Sequence, residues 1–161
     1  MRIGIGYDVH AFCAGRKLVL GGIEIKHSMG LIGHSDADVL IHAINDAILG
    51  ACGLGDIGIH FPDTDLKYKD ISSVVLLREV IGLMNEKGYE IVNCDCIIIL
   101  QRPKIAGYMD MMKDKLSEAM KIKKEDLNIK ATTTENMGFC GREEGASAQC
   151  VVLIKKKEHH E

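Results

Sequence analysis

The order of strand-like and helix-like segments is the feature that most restricts how this chain can fold. Apolar patterning predicts strands over residues 1–7, 89–100, 128–134 and 146–156, and two short strands over 17–25. Helical spacing predicts helices over residues 36–52, 71–87 and 103–121. Strands and helices in this order do not alternate regularly, as they would in a doubly wound sheet. We therefore expect an α+β sandwich, in which helices pack on one face of a small mixed β-sheet.

Residues that cap or stop helices predict where these helices begin and end. Ser35 is expected to be the N-cap of the first helix, with Asp38 in its first turn and Gly53 at its end. Pro103 is expected to open the third helix, because proline suits the first helical position. Residues 53–70 are predicted to form a long irregular loop.

Charge and hydropathy limit the partners that this chain can bind. Its 161 residues carry 20 basic and 23 acidic side chains, a net charge of −3, which gives no electrostatic footprint for nucleic acid. No apolar run approaches membrane-spanning length, and residues 1–10 show no signal-peptide pattern. We expect one cytoplasmic domain over residues 1–161, or an organellar one if a transit peptide has been removed. Residues 157–161 are expected to be a solvated tail, in which His159 and His160 are native or cloning-derived trailing residues.

Six cysteines are scattered along the chain without a CxxC motif. Most have apolar neighbours, and a chain of this size does not need disulfides, so we expect reduced and partly buried thiols. Cys94 and Cys96 alternate along a predicted strand on either side of Asp95. Metal binding at this pair is an alternative that the spacing leaves open.

Asp8, His10 and His42 form a candidate set of metal ligands. Asp8 and His10 are two residues apart on an extended segment, so their side chains project to the same face. One carboxylate and two imidazoles suit zinc, and three protein ligands leave a fourth position open. Asp46, four residues after His42, is placed to accept the second ring N–H of that histidine or to support the site in another way. The alternative is a capping aspartate and two unrelated histidines.

Two polar segments are candidates for binding phosphate or a second cation. His34 precedes the first predicted helix and can hydrogen-bond a phosphate or a sugar hydroxyl, or it can be an exposed loop residue. The hydroxyl and N–H groups of residues 132–134 can bind phosphate oxygens, and Glu135 can hold a hard divalent cation together with phosphates. The alternative for this second segment is a plain strand end.

Two glycine-containing segments complete the list of candidates. Residues 53–58 match GxGxxG by letter, but they follow a helix instead of a strand, so we do not interpret them as a dinucleotide site. Their glycines instead permit sharp turns that aim Asp56 and Asp63 into a cleft. Arg142 can bind an anion, although a salt bridge with Glu143 or Glu144 is the default expectation.

Spaced motifs extend from residue 2 to residue 156. They include Arg2-Ile3-Gly4, Tyr7-Asp8-Val9-His10-Ala11-Phe12, Gly21-Gly22, His34-Ser35-Asp36, His42-Ala43, Leu54-Gly55-Asp56-Ile57-Gly58, Phe61-Pro62-Asp63-Thr64-Asp65, Leu77-Arg78-Glu79, Pro103-Lys104, Lys130-Ala131-Thr132-Thr133-Thr134-Glu135, Gly138-Phe139 and Gly141-Arg142. In sequence and spacing they resemble the 2-C-methyl-D-erythritol 2,4-cyclodiphosphate synthases, enzymes of the non-mevalonate isoprenoid pathway.

This resemblance implies a homotrimer with active sites between neighbouring subunits. It implies that Asp8, His10 and His42 hold Zn²⁺, and that Glu135 binds Mg²⁺ or Mn²⁺ together with the substrate phosphates. The implied substrate is 4-diphosphocytidyl-2-C-methyl-D-erythritol 2-phosphate, whose own 2-phosphate attacks the β-phosphorus. CMP then leaves, and a cyclic diphosphate forms.

The resemblance also assigns residues to parts of the site. His34 and Thr133 are implied to be catalytic. Substrate contacts are implied for His34, Ser35, Asp36, Asp56, Gly58 and Asp63 around the 2-phosphate and erythritol, and for Leu100, Lys104, Ala106, Ala131, Thr132 and Thr133 around the cytidine. Phe139 and Arg142 resemble the lining of a central trimer cavity that takes isoprenoid diphosphates.

Two other functions compete with this hypothesis. One is a zinc hydrolase that activates water at the open zinc position; the absence of a clear general base beside the predicted zinc argues against it. The other is a non-catalytic trimer that binds an isoprenoid diphosphate in its central cavity.

Overall fold

The computed structural model describes residues 1–157, so most of the predicted C-terminal tail lies outside the described residues. The strands are β1 (Arg2–Ala14), β2 (Leu18–Leu20), β3 (Ile23–Ile25), β4 (Met29–Leu31), β5 (Tyr89–Ile99), β6 (Leu127–Thr132) and β7 (Gly145–Lys156). The helices are α1 (Val39–Cys52), α2 (Ile57–His60), α3 (Ser73–Glu86), α4 (Met109–Met120) and α5 (Gly138–Gly141). Short 3-10 turns occupy Leu66–Tyr68, Ala106–Tyr108 and Lys124–Asp126.

Five strands form one mixed sheet in the order β4-β1-β7-β5-β6. Only the β5–β6 pair is parallel, and the other three pairs are antiparallel. β2 and β3 form a separate antiparallel hairpin across Gly21-Gly22, as the sequence predicted. The mixed sheet and its helices confirm the predicted α+β class.

The helices cover one face of this sheet, and α1 lies directly against β1. Cβ atoms built on Gly4 and Gly6 would lie only 1.8 and 1.9 Å from the carbonyl oxygens of Ala47 and Ala43. Glycine is therefore needed at both positions for the helix backbone to approach the strand this closely. α3 packs on the other side of α1, so α1 is buried on almost every side.

The opposite face of the sheet carries exposed apolar side chains in this chain. Ile3 and Ile5 alternate with the two buried glycines and are 72% and 71% exposed. Tyr7, Val9 and Val151 extend this apolar face and are 50%, 44% and 46% exposed. Together they form a surface that a lone chain leaves uncovered.

Three sequence expectations were wrong, two about helix ends and one about the loop over residues 53–70. α1 begins at Val39 with Asp38 as its N-cap, not Ser35, because the buried Asp38 carboxylate accepts the N–H groups of Ile41, Gly21 and Gly22. Residues 53–70 include α2 and a 3-10 turn.

The third error concerns the segment after β5. Pro103 does not open a helix, since α4 begins only at Met109. Leu100 and Ile105 are buried at the two ends of the segment around Pro103, so the chain there stays attached to the core as a loop. Within residues 1–157, no helix has both the length and the apolar character needed to cross a bilayer.

Candidate metal centre and active-site cleft

Asp8, His10 and His42, the aspartate–histidine triad, meet at the edge of an open cleft. Asp8 Oδ2 lies 2.9 Å from His10 Nε2 and 3.0 Å from His42 Nδ1. The two ring nitrogens are 3.1 Å apart. These three atoms converge on one point and form a possible metal site.

The local fold explains why the triad assembles. β1 continues through Asp8 and His10, so their side chains project from the same face of the strand as Gly6. The close approach of α1 at Gly6 is to the Ala43 carbonyl, which places His42 beside the same part of the strand.

Hydrogen bonds orient both imidazoles. His10 Nδ1 lies 2.6 Å from the Ile32 carbonyl, which can only accept, so Nδ1 carries the proton and Nε2 presents its lone pair. His42 Nε2 lies 3.1 Å from Ser35 Oγ and 3.0 Å from Ser73 Oγ. A proton on His42 Nε2 leaves Nδ1 free to face Asp8, so both rings can act as metal ligands.

Ser73 is a residue of the candidate site that the sequence reasoning missed, since its hydroxyl lies 3.0 Å from His42 Nε2. Its hydroxyl donates a short hydrogen bond to Asp36, and its backbone N–H donates to the same carboxylate at 3.0 Å. Because the Ser73 hydroxyl proton is donated to Asp36, Ser73 Oγ accepts a hydrogen bond from His42 Nε2. Only its place at the start of a predicted helix marked Ser73 in the sequence.

Asp46 does not accept the second ring N–H of His42, the first of the two roles that the sequence suggested. Its carboxylate accepts the backbone N–H of Ile57 at 2.8 Å, while Ser35 and Ser73 face the second ring nitrogen of His42. Asp46 therefore fixes the start of α2. Burial raises the pKa of Asp46, and the negative charges of Asp8 and Asp56 raise it further.

The charges of the triad are coupled. Burial alone would raise the pKa of Asp8, but hydrogen bonds and charge from His10 and His42 outweigh burial and hold this pKa well below its usual range. Burial would lower the pKa of His10, but the Asp8 carboxylate outweighs it and the pKa is raised. A carboxylate therefore stays charged here and stabilises positive charge beside it.

The triad lines a cleft of about 440 Å³. Four residues that the sequence assigned to substrate contacts also line it: His34, Ser35, Gly58 and Asp63. Asp36 and Asp56 are not among its lining residues. Asp36 is bonded to Ser73, and Asp56 caps α2 by accepting the N–H of Ile59 at 3.1 Å.

A second cleft, of about 390 Å³, lies where β5 and β6 end. Its lining includes all six residues that the sequence assigned to the nucleotide end of the substrate: Leu100, Lys104, Ala106, Ala131, Thr132 and Thr133. The Leu100 N–H donates to the Thr132 carbonyl at 3.1 Å and joins the two walls.

The two clefts share no lining residue within the described chain. Asp8, Ala148, Ile98 and Ala131 are register partners in one row across β1, β7, β5 and β6. Three strand spacings therefore separate the triad strand from the second cleft, about 14 Å.

The remaining predicted site residues lie beyond the end of β6. Glu135 has a left-handed backbone, with φ of 53°, and its carboxylate accepts the Thr133 hydroxyl at 3.0 Å. Arg142 makes the default salt bridge, pairing with Glu144 at 2.8 and 3.2 Å. Phe139 is 36% exposed in α5.

A second group of possible metal ligands is buried in the core. Cys94 Sγ lies 3.5 Å from Cys96 Sγ and 3.3 Å from Cys150 Sγ, and these residues form the cysteine triad. The sequence pointed to the Cys94–Cys96 pair, and the strand register adds Cys150 as the partner of Cys96. All six cysteines are free thiols, as predicted.

The fold and the site define a class: α+β proteins with a three-ligand metal site that opens onto a polar cleft. Within this class, the chain belongs to the YgbB family, whose profile matches residues 1–155.

Named relatives confirm the resemblance predicted from the sequence. A protein of Desulfitobacterium hafniense, "2-C-methyl-D-erythritol 2,4-cyclodiphosphate synthase", is 57% identical over 97% of this chain and 99% of its own length. Two solved structures have the same fold. The bifunctional IspDF from Campylobacter jejuni is 42% identical with a TM-score of 0.94, and the match covers 98% of this chain but 42% of that chain. A 2C-methyl-D-erythritol-2,4-cyclodiphosphate synthase in a CDP-bound form is 36% identical with a TM-score of 0.88, over 96% of this chain and 100% of that one.

Proposed function

We propose that this protein converts 4-diphosphocytidyl-2-C-methyl-D-erythritol 2-phosphate to 2-C-methyl-D-erythritol 2,4-cyclodiphosphate and CMP, in the non-mevalonate isoprenoid pathway. The observation that carries this proposal is the aspartate–histidine triad open to a cleft, in a chain of the YgbB family. The CDP bound to the related synthase supports a cytidine diphosphate substrate.

The triad fits Zn²⁺. Ligand atoms about 2.0 Å from a tetrahedral zinc lie roughly 3.3 Å apart, and the three donor atoms here are 2.9, 3.0 and 3.1 Å apart. Both imidazoles can present lone pairs toward the shared point, because their other nitrogens are hydrogen-bonded. We infer that Glu135 holds Mg²⁺ or Mn²⁺ with the substrate phosphates. The two cations would polarise the attacked phosphorus and stabilise charge on the leaving phosphate.

The reaction needs positioning more than a protein nucleophile. An oxygen of the 2-phosphate forms a bond to the β-phosphorus, the bond from that phosphorus to the α-phosphate oxygen breaks, and CMP leaves with the electron pair. We infer that His34 and Ser35 hold the 2-phosphate, while Gly58 and Asp63 border the erythritol in the same cleft. An intramolecular attack gains most from such orientation, since the reacting groups already belong to one molecule.

The second cleft is suited to the nucleotide end of the substrate. Leu100 and Ala131 supply apolar walls for a base, and Lys104 supplies a positive charge near the phosphates. We infer that Thr132 and Thr133 hydrogen-bond the ribose and the diphosphate, with Thr133 next to the Glu135 carboxylate that it already contacts. At the first cleft, which holds the triad, we infer that Asp36 acts through Ser73 and that Asp56 acts through the start of α2, which it caps.

A homotrimer would join the two clefts. One chain separates them by three strands, so a neighbouring copy is needed to bring a triad beside a nucleotide cleft. The exposed apolar face of the sheet provides the surface on which such copies can pack. We infer that Phe139 and Arg142 line a central cavity of this trimer that accepts an isoprenoid diphosphate. The chain would act as one cytoplasmic domain.

Phosphorus NMR of the protein with the cytidine-linked 2-phosphate substrate and Mg²⁺ tests this function. We expect cyclic diphosphate and CMP, loss of both after zinc is removed by a chelator, and recovery when zinc is added back. Hydrolysed but uncyclised product would instead indicate a zinc hydrolase. Unchanged substrate with a zinc-loaded trimer would contradict the proposed reaction and favour the isoprenoid-binding function.

A further inference from the structure

Arg16 lies in the turn after β1 and contacts two loops that meet beside the cleft. Its Nη2 donates to the Ser35 carbonyl at 2.6 Å, and its Nη1 lies 4.0 Å from the Asp70 carboxylate. Ser35 belongs to residues 33–37, here called the cleft loop, which joins β4 to α1 and carries His34. Arg16 therefore links the strand that carries Asp8 and His10 to a loop that lines the same cleft.

The cleft loop is also paired with the segment before α3. The Asp70 N–H donates to the His34 carbonyl at 2.8 Å, and the Asp36 N–H donates to the Ile71 carbonyl at 3.0 Å. The Ser35 carbonyl lies between these two bonds. Within residues 1–157, Arg16 supplies the one hydrogen bond that reaches it. A charged donor makes this bond stronger than a bond between neutral groups.

The two polar groups of Ser35 are held in different directions. Its carbonyl accepts from Arg16, while its hydroxyl lies 3.1 Å from His42 Nε2. Displacement of the cleft-loop backbone at Ser35 would move the hydroxyl away from His42 and carry His34 with it. The Arg16 hydrogen bond to the Ser35 carbonyl opposes that displacement, and this gives Arg16 an effect on a cleft that it does not line.

The backbone at Arg16 and Lys17 is closely packed against β4. A Cβ on Gly30 in β4 would lie 2.2 Å from the Lys17 carbonyl oxygen and 2.7 Å from the Arg16 carbonyl carbon. The turn is therefore packed against β4 without space for a side chain. Leu18, which follows the turn, is fully buried. Arg16 thus extends from a fixed backbone.

We propose that Arg16 is a positioning residue, which holds the cleft loop so that Ser35 meets His42 and His34 faces the substrate phosphate. This inference rests on the proposed function for the part that concerns substrate. Arginine suits the position because its planar guanidinium presents separate N–H groups to the carbonyl and to Asp70 at once, which a lysine ammonium cannot reproduce with the same geometry.

The test compares Arg16→Ala and Arg16→Lys with Lys17→Ala, the matched control. Lys17 is the neighbouring cation, and its contact is with Glu24 in the hairpin. For Arg16→Ala we expect zinc content to stay at the wild-type level and kcat/KM to fall by about 10- to 100-fold, the range seen when groups that orient a site's ligands are removed. We expect Arg16→Lys to be intermediate and Lys17→Ala to remain within twofold of wild type.

Amide hydrogen exchange of the zinc-loaded proteins without substrate provides the second readout. Arg16→Ala should accelerate exchange in residues 34–37 and 70–71, while exchange in α1 stays unchanged. A general loss of stability would instead accelerate exchange throughout. If kcat/KM stays within twofold and exchange in these segments is unchanged, Arg16 has no positioning role. Failure of wild-type turnover would reject the proposed function, while the exchange data would still decide whether Arg16 holds the loop.

Discussion

The aspartate–histidine triad and the cysteine triad both bring three metal-type ligands within a few ångströms, but their surroundings differ. The side chains of Asp8, His10 and His42 are 24%, 17% and 12% exposed and border an open cleft. Each cysteine of the other triad is at most 1% exposed, between the sheet and its helices. Both triads therefore bring ligand atoms close together, but they differ in whether a metal ion can reach those atoms from solvent.

The two triads also differ in how their ligands are prepared. Carbonyl and hydroxyl partners orient both histidines, and the Asp8 carboxylate already stabilises positive charge. Within residues 1–157, the side chains of the cysteine triad have only one another's sulfurs as partners at hydrogen-bond distance. Three thiolates around a divalent cation would leave a net negative charge in an apolar core, which is costly. A metal site thus requires oriented lone pairs, compensated charge and an entry route.

Removal of a ligand from the open triad gives the largest expected effect. Asp8→Ala should lower zinc affinity by more than about 100-fold, beyond the loss caused by removing an orienting neighbour, and should abolish turnover. The matched control is Cys150→Ala, which should keep full zinc content. Metal analysis after dialysis and the phosphorus NMR assay measure both. An Asp8→Ala protein with normal zinc content and activity would show that the aspartate–histidine triad is not the zinc site.

The close packing of α1 on β1 underlies both triads, because Gly6 is the register partner of Cys150 and lies two residues before Asp8. Gly6→Ala should destabilise the protein by about 3 kcal/mol, since its Cβ would meet helix backbone that cannot move aside. Gly107→Ala is the control, because nothing lies within 4 Å of its Cβ position, and should change stability by less than about 0.5 kcal/mol. Chemical denaturation measures both. Equal stability of the two variants would mean that the strand and helix can separate without cost.

Local pattern predicted part of the open triad, because Asp8 and His10 share a strand face. The sequence offered His42, 32 residues after His10, only as a candidate third ligand, and the family resemblance is what joined the three residues as one zinc site. Ser73 could not be found in this way, because it reaches His42 only through the packing of α3 on α1. Cys150 likewise joins Cys96 through a strand register that sequence periodicity does not specify.

Errors in the predicted helix ends have a related origin. Ser35 and Asp38 are both good capping residues, and the choice depends on the hairpin turn at Gly21-Gly22, whose N–H groups also bind Asp38. The residues of the nucleotide cleft came from the family resemblance, because small and apolar side chains such as Ala106 and Ala131 carry no chemical signal of their own. The structure groups them in one cleft.

Substitution within the cysteine triad gives the smallest expected effect. Cys96→Ala removes one buried sulfur and should cost about 1 kcal/mol, as for other small deletions in a packed core. Zinc stoichiometry should remain at one ion per chain, because the thiols pack as small apolar groups and hold no metal. Denaturation curves and metal analysis of the wild type and the variant measure these two quantities. A fall from two ions to one in the variant would reveal a second metal site in the core, and access would then no longer distinguish the two triads.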